Sequence, residues 1–192
     1  AYLGFDVVIG NPPYIGFKAL EHKNYFKNNY NTADGKYDMY VLFIELILKI
    51  THEKSNSSYI MPHKYLIADF ATKTRELLAD NNAISEIISF AEHMIFEDAT
   101  TYTCITNFSI NNESIKYYEV EPKNLHSLGL PIVIPYTQLT SSKWVLKSPI
   151  ILSVLNKIQE MKNSINDVFE GIYQGLITGD NNIFYLYECK IT

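Results

Sequence analysis

Four consecutive residues near the start of the chain, Asn11-Pro12-Pro13-Tyr14, have types and an order that suit one kind of chemistry. They follow the apolar run Phe5–Ile9 and Gly10, so we expect a loop at the carboxyl end of a strand, where open α/β sheets bind ligands. The Asn11 amide oxygen and the Pro12 carbonyl oxygen can each accept one N–H bond of an exocyclic amine on a planar ring. Both hydrogen bonds strengthen as positive charge develops on that nitrogen, so they favour the transition state of a methyl transfer to it.

The other two residues of the loop support the same interpretation. The prolines restrict the backbone, and Pro13 has no N–H that would compete for the Pro12 carbonyl. Tyr14 offers a flat face on which a base can stack, an interaction worth roughly 1–3 kcal/mol. The alternative is that the prolines merely end a buried strand and that Tyr14 is a core aromatic. The position directly after a predicted strand favours the catalytic interpretation.

Strands and helices alternate along the chain, which indicates an α/β fold. Strands are predicted at 5–9, 57–61, 84–91, 101–110 and 114–120, and helices at 37–51, 69–79 and 150–160. The polar stretch 18–34 is predicted to be a long loop with one helical turn. The connection between the third and fourth strands is too short for a crossover helix, so these strands should be antiparallel neighbours. We therefore expect a mostly parallel sheet with an antiparallel strand at or near one edge.

Three regions are expected along the chain. Residues 1–120 contain the predicted sheet, and residues 121–149 form a connector because Pro122, Pro131 and Pro135 interrupt the pattern. Residues 150–192 begin a second unit with a helix. Its β-character lies in residues 165–169, in the Gly-rich stretch 171–181 and in a predicted strand at 183–187.

Composition restricts the class of protein. Apolar residues make up 47% of the chain, as in globular proteins, and no apolar run reaches a membrane-spanning length. Without a signal peptide, the cytoplasm is the expected location. Cys104, Cys189 and the five histidines show no metal-ligand spacing, so no metal site is expected. The net charge of −5 argues mildly against nucleic-acid binding, although a basic face can lie on another part of the protein.

With these residues placed, the chain resembles the adenine-N6 DNA methyltransferases of restriction–modification systems, in particular the TaqI-type group and its larger type IIG relatives. Residues 11–14 match the catalytic motif IV of that family. Lys36–Tyr40, with Phe43 on the following helix, resembles motif V, and Ile95–Tyr102 resembles motif VIII. Residues 171–179 resemble the opening of the target-recognition domain.

The resemblance implies a partial Rossmann-like methyltransferase sheet. It also implies methyl transfer from S-adenosylmethionine to an adenine flipped out of double-stranded DNA. Asn11, Pro12, Pro13 and Tyr14 would be catalytic, and Phe96 would stack on the face of the base opposite Tyr14. Phe43 and Pro12 would contact the cofactor. The residues of the second unit that would contact DNA are Gly175, Thr178 and Gly179.

Several of these residues have a structural alternative. Phe96 can be an ordinary core aromatic at a strand end, and Phe43 can simply pack the core of its helix. Residues 171–179 can form a plain hairpin. For Asp38 we prefer a role as the cap of the following helix, and for Asp6 a structural role.

One departure from the family pattern is large. No Gly-x-Gly follows any predicted strand, so the Gly-rich cofactor motif and the acidic residue that binds the ribose are missing. The chain is therefore interpreted as the C-terminal half of a catalytic domain with the start of a target-recognition domain. Its expected partner is the N-terminal part of the parent protein. By itself it should bind S-adenosylmethionine weakly and lack appreciable activity.

Two other functions remain open on the sequence. An Asn-Pro-Pro-Tyr loop followed by Ile, here Ile15, also resembles protein glutamine-N5 methyltransferases, which methylate a side-chain amide. The motif V and motif VIII segments and the Gly-rich tail favour the DNA enzymes. The second possibility is a DNA-binding fragment of a defence complex without catalytic activity.

Overall fold

The computed structural model describes residues 4–96, 101–147, 149–163 and 165–171. The contacts divide the chain into two units, residues 1–148 and residues 149–192. The first unit contains the strands β1 (Ile9–Gly10), β2 (Ser57–Pro62), β3 (Ile84–Ser89), β4 (Thr103–Phe108), β5 (Ser114–Glu119) and β6 (Ile132–Pro135). Its helices are α1 (Lys23–Asn29), α2 (Tyr40–Ile50) and α3 (Thr72–Asp80), and the second unit holds α4 (Pro149–Gln159) and α5 (Ile165–Val168).

The six strands form one sheet in the order β1-β2-β4-β3-β5-β6. The pairs β1–β2 and β3–β5 are parallel, whereas β4 is antiparallel to both its neighbours and β6 is antiparallel to β5. Four strands therefore run in one direction and two in the other. This confirms the predicted mixed α/β sheet, and it confirms that the third and fourth strands are antiparallel neighbours.

An antiparallel strand does lie at one edge of the sheet, but it is β6 and not β4, the strand for which that place was predicted. β4 lies inside the sheet, between β2 and β3, and not at or near an edge. The short connection after β3 places β4 directly beside β3. On its other side β4 pairs with β2, so it lies between these two strands. β5 and β6 then extend the sheet on the other side of β3. The edge strands are β1 and β6.

Helix α2 forms the centre of the core. Tyr40, Val41, Ile44 and Ile47 are fully buried, as expected for a helix that is apolar almost all round. They pack in one cluster with residues of β2, β3 and β4. This packing fixes the helix against the sheet from which the candidate site is built.

Residues 121–147 do not form the connector that the prolines suggested. β6 pairs with β5 in this stretch, and Pro135, at its end, lies on an edge strand, where proline is tolerated. Trp144 and Leu146 are buried in the core of the first unit. The prolines therefore restrict the length of the edge strand β6 and do not prevent it from forming. The stretch belongs to the first unit.

Smaller differences between the predicted and the observed elements lie toward the two ends of the chain. The first strand is shorter than predicted, with only a single bridge, from Phe5 to Thr51, preceding Ile9. The long polar loop contains a complete helix, α1. Residues 165–168 are helical and not β-like. The predicted strand 183–187 and most of the Gly-rich stretch lie outside the described residues.

None of the helices in the described part of the chain combines the length and the apolar character that crossing a bilayer requires.

Candidate active site

The loop 11–16 begins where β1 ends, and its position depends on close backbone packing. A Cβ atom on Gly10 would lie 3.0 Å from Cε1 of Tyr59 in the neighbouring strand, so a side chain at this position would require the Tyr59 ring to shift. At the other end of the loop, the Met39 amide donates a hydrogen bond to the Ile15 carbonyl over 2.8 Å. The loop is therefore held between the edge of the sheet and the start of α2.

An open cleft of about 600 Å³ lies against this loop. Its walls come from the loop itself, from the residues before α2, from the end of β2 and from both sides of the β3–β4 connection. The lining residues are Asn11, Pro12, Pro13, Tyr14, Gly16, Asp38, Pro62, Lys64, Phe96 and Thr101. The structure thus brings the four motif residues together with Phe96, as the sequence predicted.

The Asn11 side chain is available to a ligand. It is exposed in the cleft, and within the described part of the chain no hydrogen bond engages its amide. Pro12, beside it, is buried, which restricts the backbone that carries the second carbonyl oxygen. Within the described residues no hydrogen bond engages the Pro12 carbonyl oxygen either.

The Tyr14 side chain is half-buried, and a hydrogen bond to β2 restrains it. Its hydroxyl donates a hydrogen bond to the Ile60 carbonyl over 3.3 Å. Burial, and secondly the nearby Cys104 thiol, raise the pKa of Tyr14 to about 12. The phenol is therefore neutral at physiological pH, and Tyr14 forms part of the cleft wall.

Tyr14 and Phe96 are in contact with each other. Their ring centroids are 6.4 Å apart, and the rings meet edge to face at 65°. A base stacked between two rings needs them parallel and about 7 Å apart, twice the ordinary carbon–carbon contact distance. In this structure the edge contact fills that space, so admission of a base between the rings requires Phe96 to move.

Asp38 does not cap the helix, contrary to the preferred sequence interpretation. Met39 occupies the N-cap position of α2, and no side chain caps the helix. The Asp38 carboxyl instead lines the cleft. Burial raises the pKa of this carboxyl, and the positive charge of Lys64 acts in the opposite direction.

Sequence reasoning did not assign five of the cleft-lining residues to the site, namely Gly16, Asp38, Pro62, Lys64 and Thr101. Two signals were available, namely the placement of Asp38 directly before α2 in the motif V segment and the position of Thr101 in the motif VIII segment. The Thr101 hydroxyl is buried and has no hydrogen-bond partner among the described residues.

The remaining predicted residues lie elsewhere. Phe43 is partly buried and packs against the core cluster, outside the lining of the cleft. Asp6 is paired with Nε2 of His52 over 2.8 Å, an exposed contact that matches a structural role. Gly175, Thr178 and Gly179 lie outside the described residues.

The comparison with protein families concerns the half of the chain that holds the motif loop. The family profile described as "Eco57I restriction-modification methylase" matches residues 1–96. The chain belongs to this family. The resemblance to restriction–modification methyltransferases inferred from the motifs is thereby confirmed.

Relatives of this Eco57I family chain include much longer proteins. The type II restriction enzyme and methyltransferase RM.Eco57I of Escherichia coli is 31% identical over 207 residues, which cover 97% of this chain and 20% of that protein. The type II methyltransferase M.BstVI of Geobacillus stearothermophilus is 25% identical over 142 residues, 72% of this chain and 23% of that protein. The chain therefore spans about a fifth of the length of these relatives.

Two solved structures share the fold of the Eco57I family chain. A structure concerned with complex assembly and conformational transition of the type I R-M system has a TM-score of 0.53 and 18% identity, and covers 82% of this chain and 43% of that chain. A modification subunit of a putative type I restriction enzyme from Vibrio vulnificus has a TM-score of 0.50 and 19% identity, with 84% and 32% covered. At these identities the likeness shows the fold alone.

Proposed function

We propose that this chain supplies the target-base pocket of an S-adenosylmethionine-dependent DNA adenine-N6 methyltransferase of a restriction–modification system. One observation carries the proposal. The loop 11–14 leaves the carboxyl end of β1 and exposes the Asn11 amide in a cleft that Tyr14 and Phe96 also line. Membership of the Eco57I family supports the same conclusion.

The two oxygen acceptors would act on the amino group of the target base. The lone pair of an exocyclic amine is delocalised into the ring, so the nitrogen is a weak nucleophile. Hydrogen bonds from its two N–H groups to the Asn11 amide and the Pro12 carbonyl favour a tetrahedral nitrogen whose lone pair is free to attack. Because these bonds strengthen as the nitrogen becomes positive, they lower the barrier and do not merely bind the base.

The aromatic rings would hold the base outside the duplex. Extruding a base costs a few kcal/mol in lost stacking and pairing. Stacking on Tyr14, whose ring is fixed through the Ile60 carbonyl, offsets part of that cost. We propose that Phe96 turns away from its edge contact with Tyr14 and covers the second face of the base.

The described residues account for only part of a binding site for S-adenosylmethionine. S-adenosylmethionine, when bound, supplies an electrophilic methyl group. Pro12 lines the cleft, and we propose that it contacts the cofactor there, whereas Phe43 packs against the core outside the cleft. With no Gly-x-Gly in the sequence, we propose that most cofactor contacts come from residues outside this chain. DNA contacts through Gly175, Thr178 and Gly179 likewise remain a proposal.

Replacement of Asn11 tests the function. In the full-length natural protein, Asn11→Ala should lower the single-turnover rate of adenine methylation about 10²–10³-fold, as loss of one positioned hydrogen-bonding group does in other enzymes. Binding of the DNA duplex should persist, because Asn11 contributes no charge. The matched control is Asn124→Ala, at an exposed asparagine of a turn that is not among the residues lining the cleft.

The result also separates the competing functions. Methylation at the wild-type rate in Asn11→Ala would contradict the catalytic assignment and leave a DNA-binding role. Methyl transfer by the wild type to a glutamine-containing peptide, with none to an adenine-containing duplex, would identify a glutamine methyltransferase instead.

A further inference from the structure

The cleft contains one carboxylate that the proposed function does not use. Asp38 lines the same cleft as Asn11, Pro12 and Tyr14. It is held close to the motif loop, since its Oδ1 lies 3.4 Å from the position that a Cβ atom on Gly16 would occupy. Asp38 therefore belongs to the site by position.

The backbone on both sides of Asp38 is fixed. The next residue, Met39, donates its amide proton to the Ile15 carbonyl over 2.8 Å. The Asp38 carbonyl accepts a hydrogen bond from the Val41 amide over 3.2 Å, in the first turn of α2. The carboxyl is thus carried on a rigid junction between the motif loop and the central helix.

The Asp38 carboxyl has no structural partner that accounts for its burial. It caps no helix, and within the described residues no hydrogen bond or ion pair engages its oxygens. The titratable groups around it are Lys64 from the turn after β2, Tyr40 from α2 and Tyr14 from the motif loop. Burial raises the pKa of Asp38, which makes this carboxylate a stronger base than one in open solvent.

The chemistry of the proposed reaction requires a proton acceptor. The nitrogen lone pair forms the new N–C bond to the methyl group of a sulfonium donor, and the S–C bonding pair leaves with sulfur. The nitrogen then carries a positive charge and one proton too many. The Asn11 amide and the Pro12 carbonyl accept hydrogen bonds, but neutral amide oxygens are too weakly basic to keep a proton.

The other polar groups that the described residues contribute to the cleft do not suit the task. Lys64 carries an ammonium group without a lone pair, and the Tyr14 phenol is protonated because its pKa is about 12. Thr101 offers only a hydroxyl. Among the described residues that line the cleft, Asp38 is the one carboxylate.

We propose that Asp38 accepts the proton that the target amine releases during methylation, directly or through one bridging water. This inference rests on the proposed function, because it requires an amine as the methyl acceptor. It assigns Asp38 a role that the motif loop cannot perform, and it accounts for a half-buried carboxylate that makes no hydrogen bond or ion pair within the described residues.

The test compares wild type, Asp38→Asn and Asp38→Glu in the full-length natural protein, with saturating S-adenosylmethionine and an adenine-containing duplex. Asp38→Asn keeps the shape of the side chain and removes the base, so the single-turnover rate should fall about 10²–10⁴-fold. The wild-type rate should decrease toward acid pH as Asp38 is protonated, and Asp38→Asn should lack this acid limb. Asp38→Glu should regain part of the rate and show an acid limb again.

Two measurements separate a chemical role from a structural one. Fluorescence of 2-aminopurine at the target position reports base flipping, which should be unchanged in Asp38→Asn. The melting temperature of Asp38→Asn should exceed that of wild type at pH 7, and the gap should close near pH 3. The reason is that burial raises the folded-state pKa, so wild type loses stability as pH rises above the unfolded value of about 3.9. Asp34→Asn, at an exposed loop position outside the cleft lining, is the matched control.

The results expected for the Asp38 variants can be distinguished from those expected for Asn11→Ala. A wild-type rate in Asp38→Asn, an unchanged acid limb in a slow variant, or loss of base flipping would each overturn the inference. If Asn11→Ala is slow and Asp38→Asn is not, the proposed function stands and only the inference fails. If Asn11→Ala methylates normally, the proposed function fails, and the role of Asp38 fails with it.

Discussion

Gly10 decides how the motif loop meets the sheet. It is the last residue of β1, and its Cα faces the ring of Tyr59, which is buried against the core. A side chain at this position would lie 3.0 and 3.2 Å from two ring carbons. Because Tyr59 also packs on Phe108 with ring centroids 5.7 Å apart, its ring has little room to move.

Gly10→Ala should therefore destabilise the fold by about 1–3 kcal/mol, the usual cost of overpacking a core. The urea midpoint of unfolding measures this loss. Gly16→Ala is the matched control, since its Cβ would meet Asp38 Oδ1 at 3.4 Å, an ordinary contact, and its backbone is extended. Equal midpoints for the two variants would show that Tyr59 gives way, and that Gly10 does not set the position of the loop.

At the scale of elements, a buried carboxylate joins α2 to the polar segment before it. Glu45 accepts hydrogen bonds from the amide and the hydroxyl of Thr32 over 2.8 and 2.9 Å, and from Lys49 over 2.7 Å. Burial acts to raise the pKa of Glu45, but the hydrogen bonds from Lys49 and Thr32 outweigh it, so this pKa lies below its usual value. The contact holds residues that follow α1 against the central helix.

Glu45→Gln should destabilise the protein by about 1.5–3 kcal/mol at pH 7, as loss of hydrogen bonds to a charged group does. Since the folded-state pKa is lowered, the stabilisation is present above the unfolded pKa of about 4.3 and is lost as pH falls through the folded-state value. The gap between wild type and variant should therefore shrink on acidification in denaturant titrations. A gap that stays constant from pH 7 to pH 3 would refute the ionic contribution. Lys49→Met should also destabilise the protein, by about 1 kcal/mol or more, because it removes one partner of the buried Glu45 carboxylate and the hydrogen bond from the ammonium to the Asn29 carbonyl.

At the scale of the whole first unit, Arg75 ties a late segment of the chain to an early one. Its guanidinium is buried and donates to the carbonyls of Ser141 and Ser142 over 3.0 and 2.8 Å. It also donates to the carbonyls of Tyr65 and Ala68 over 2.9 and 2.8 Å. A single side chain thereby fixes the segment that places Trp144 and Leu146 in the core.

Arg75→Met should cost at least about 2 kcal/mol, because several buried carbonyls lose their donor at once. Arg75→Lys should recover only part of this loss, since an ammonium group cannot reproduce the planar fork of donors. Hydrogen exchange should accelerate for the amide of Trp144, which is bonded to the Leu66 carbonyl over 2.7 Å. Unchanged exchange at Trp144 in Arg75→Met would show that the segment is held without Arg75.

The sequence by itself determined most of the elements and the residue types of the motif loop. Apolar runs of strand or helix length are local signals, so most strands and α2 could be predicted within a few residues. The short connection after β3 likewise fixed its antiparallel pairing with β4. The order Asn11 to Tyr14 after a strand indicated two oxygen acceptors and a ring on one loop, because these properties belong to neighbouring residues.

Apart from Phe96, only the tertiary structure decided which distant residues share the cleft with the motif loop. Asp38 precedes a helix as a capping residue would, and its place in the cleft depends on a hydrogen bond between Met39 and Ile15. Residues 121–147 look like a proline-broken connector, and they join the sheet because β5 offers an open edge. Such outcomes depend on contacts between residues that lie far apart in the chain, where free backbone groups pair and apolar surface is buried. Local residue patterns do not encode these contacts.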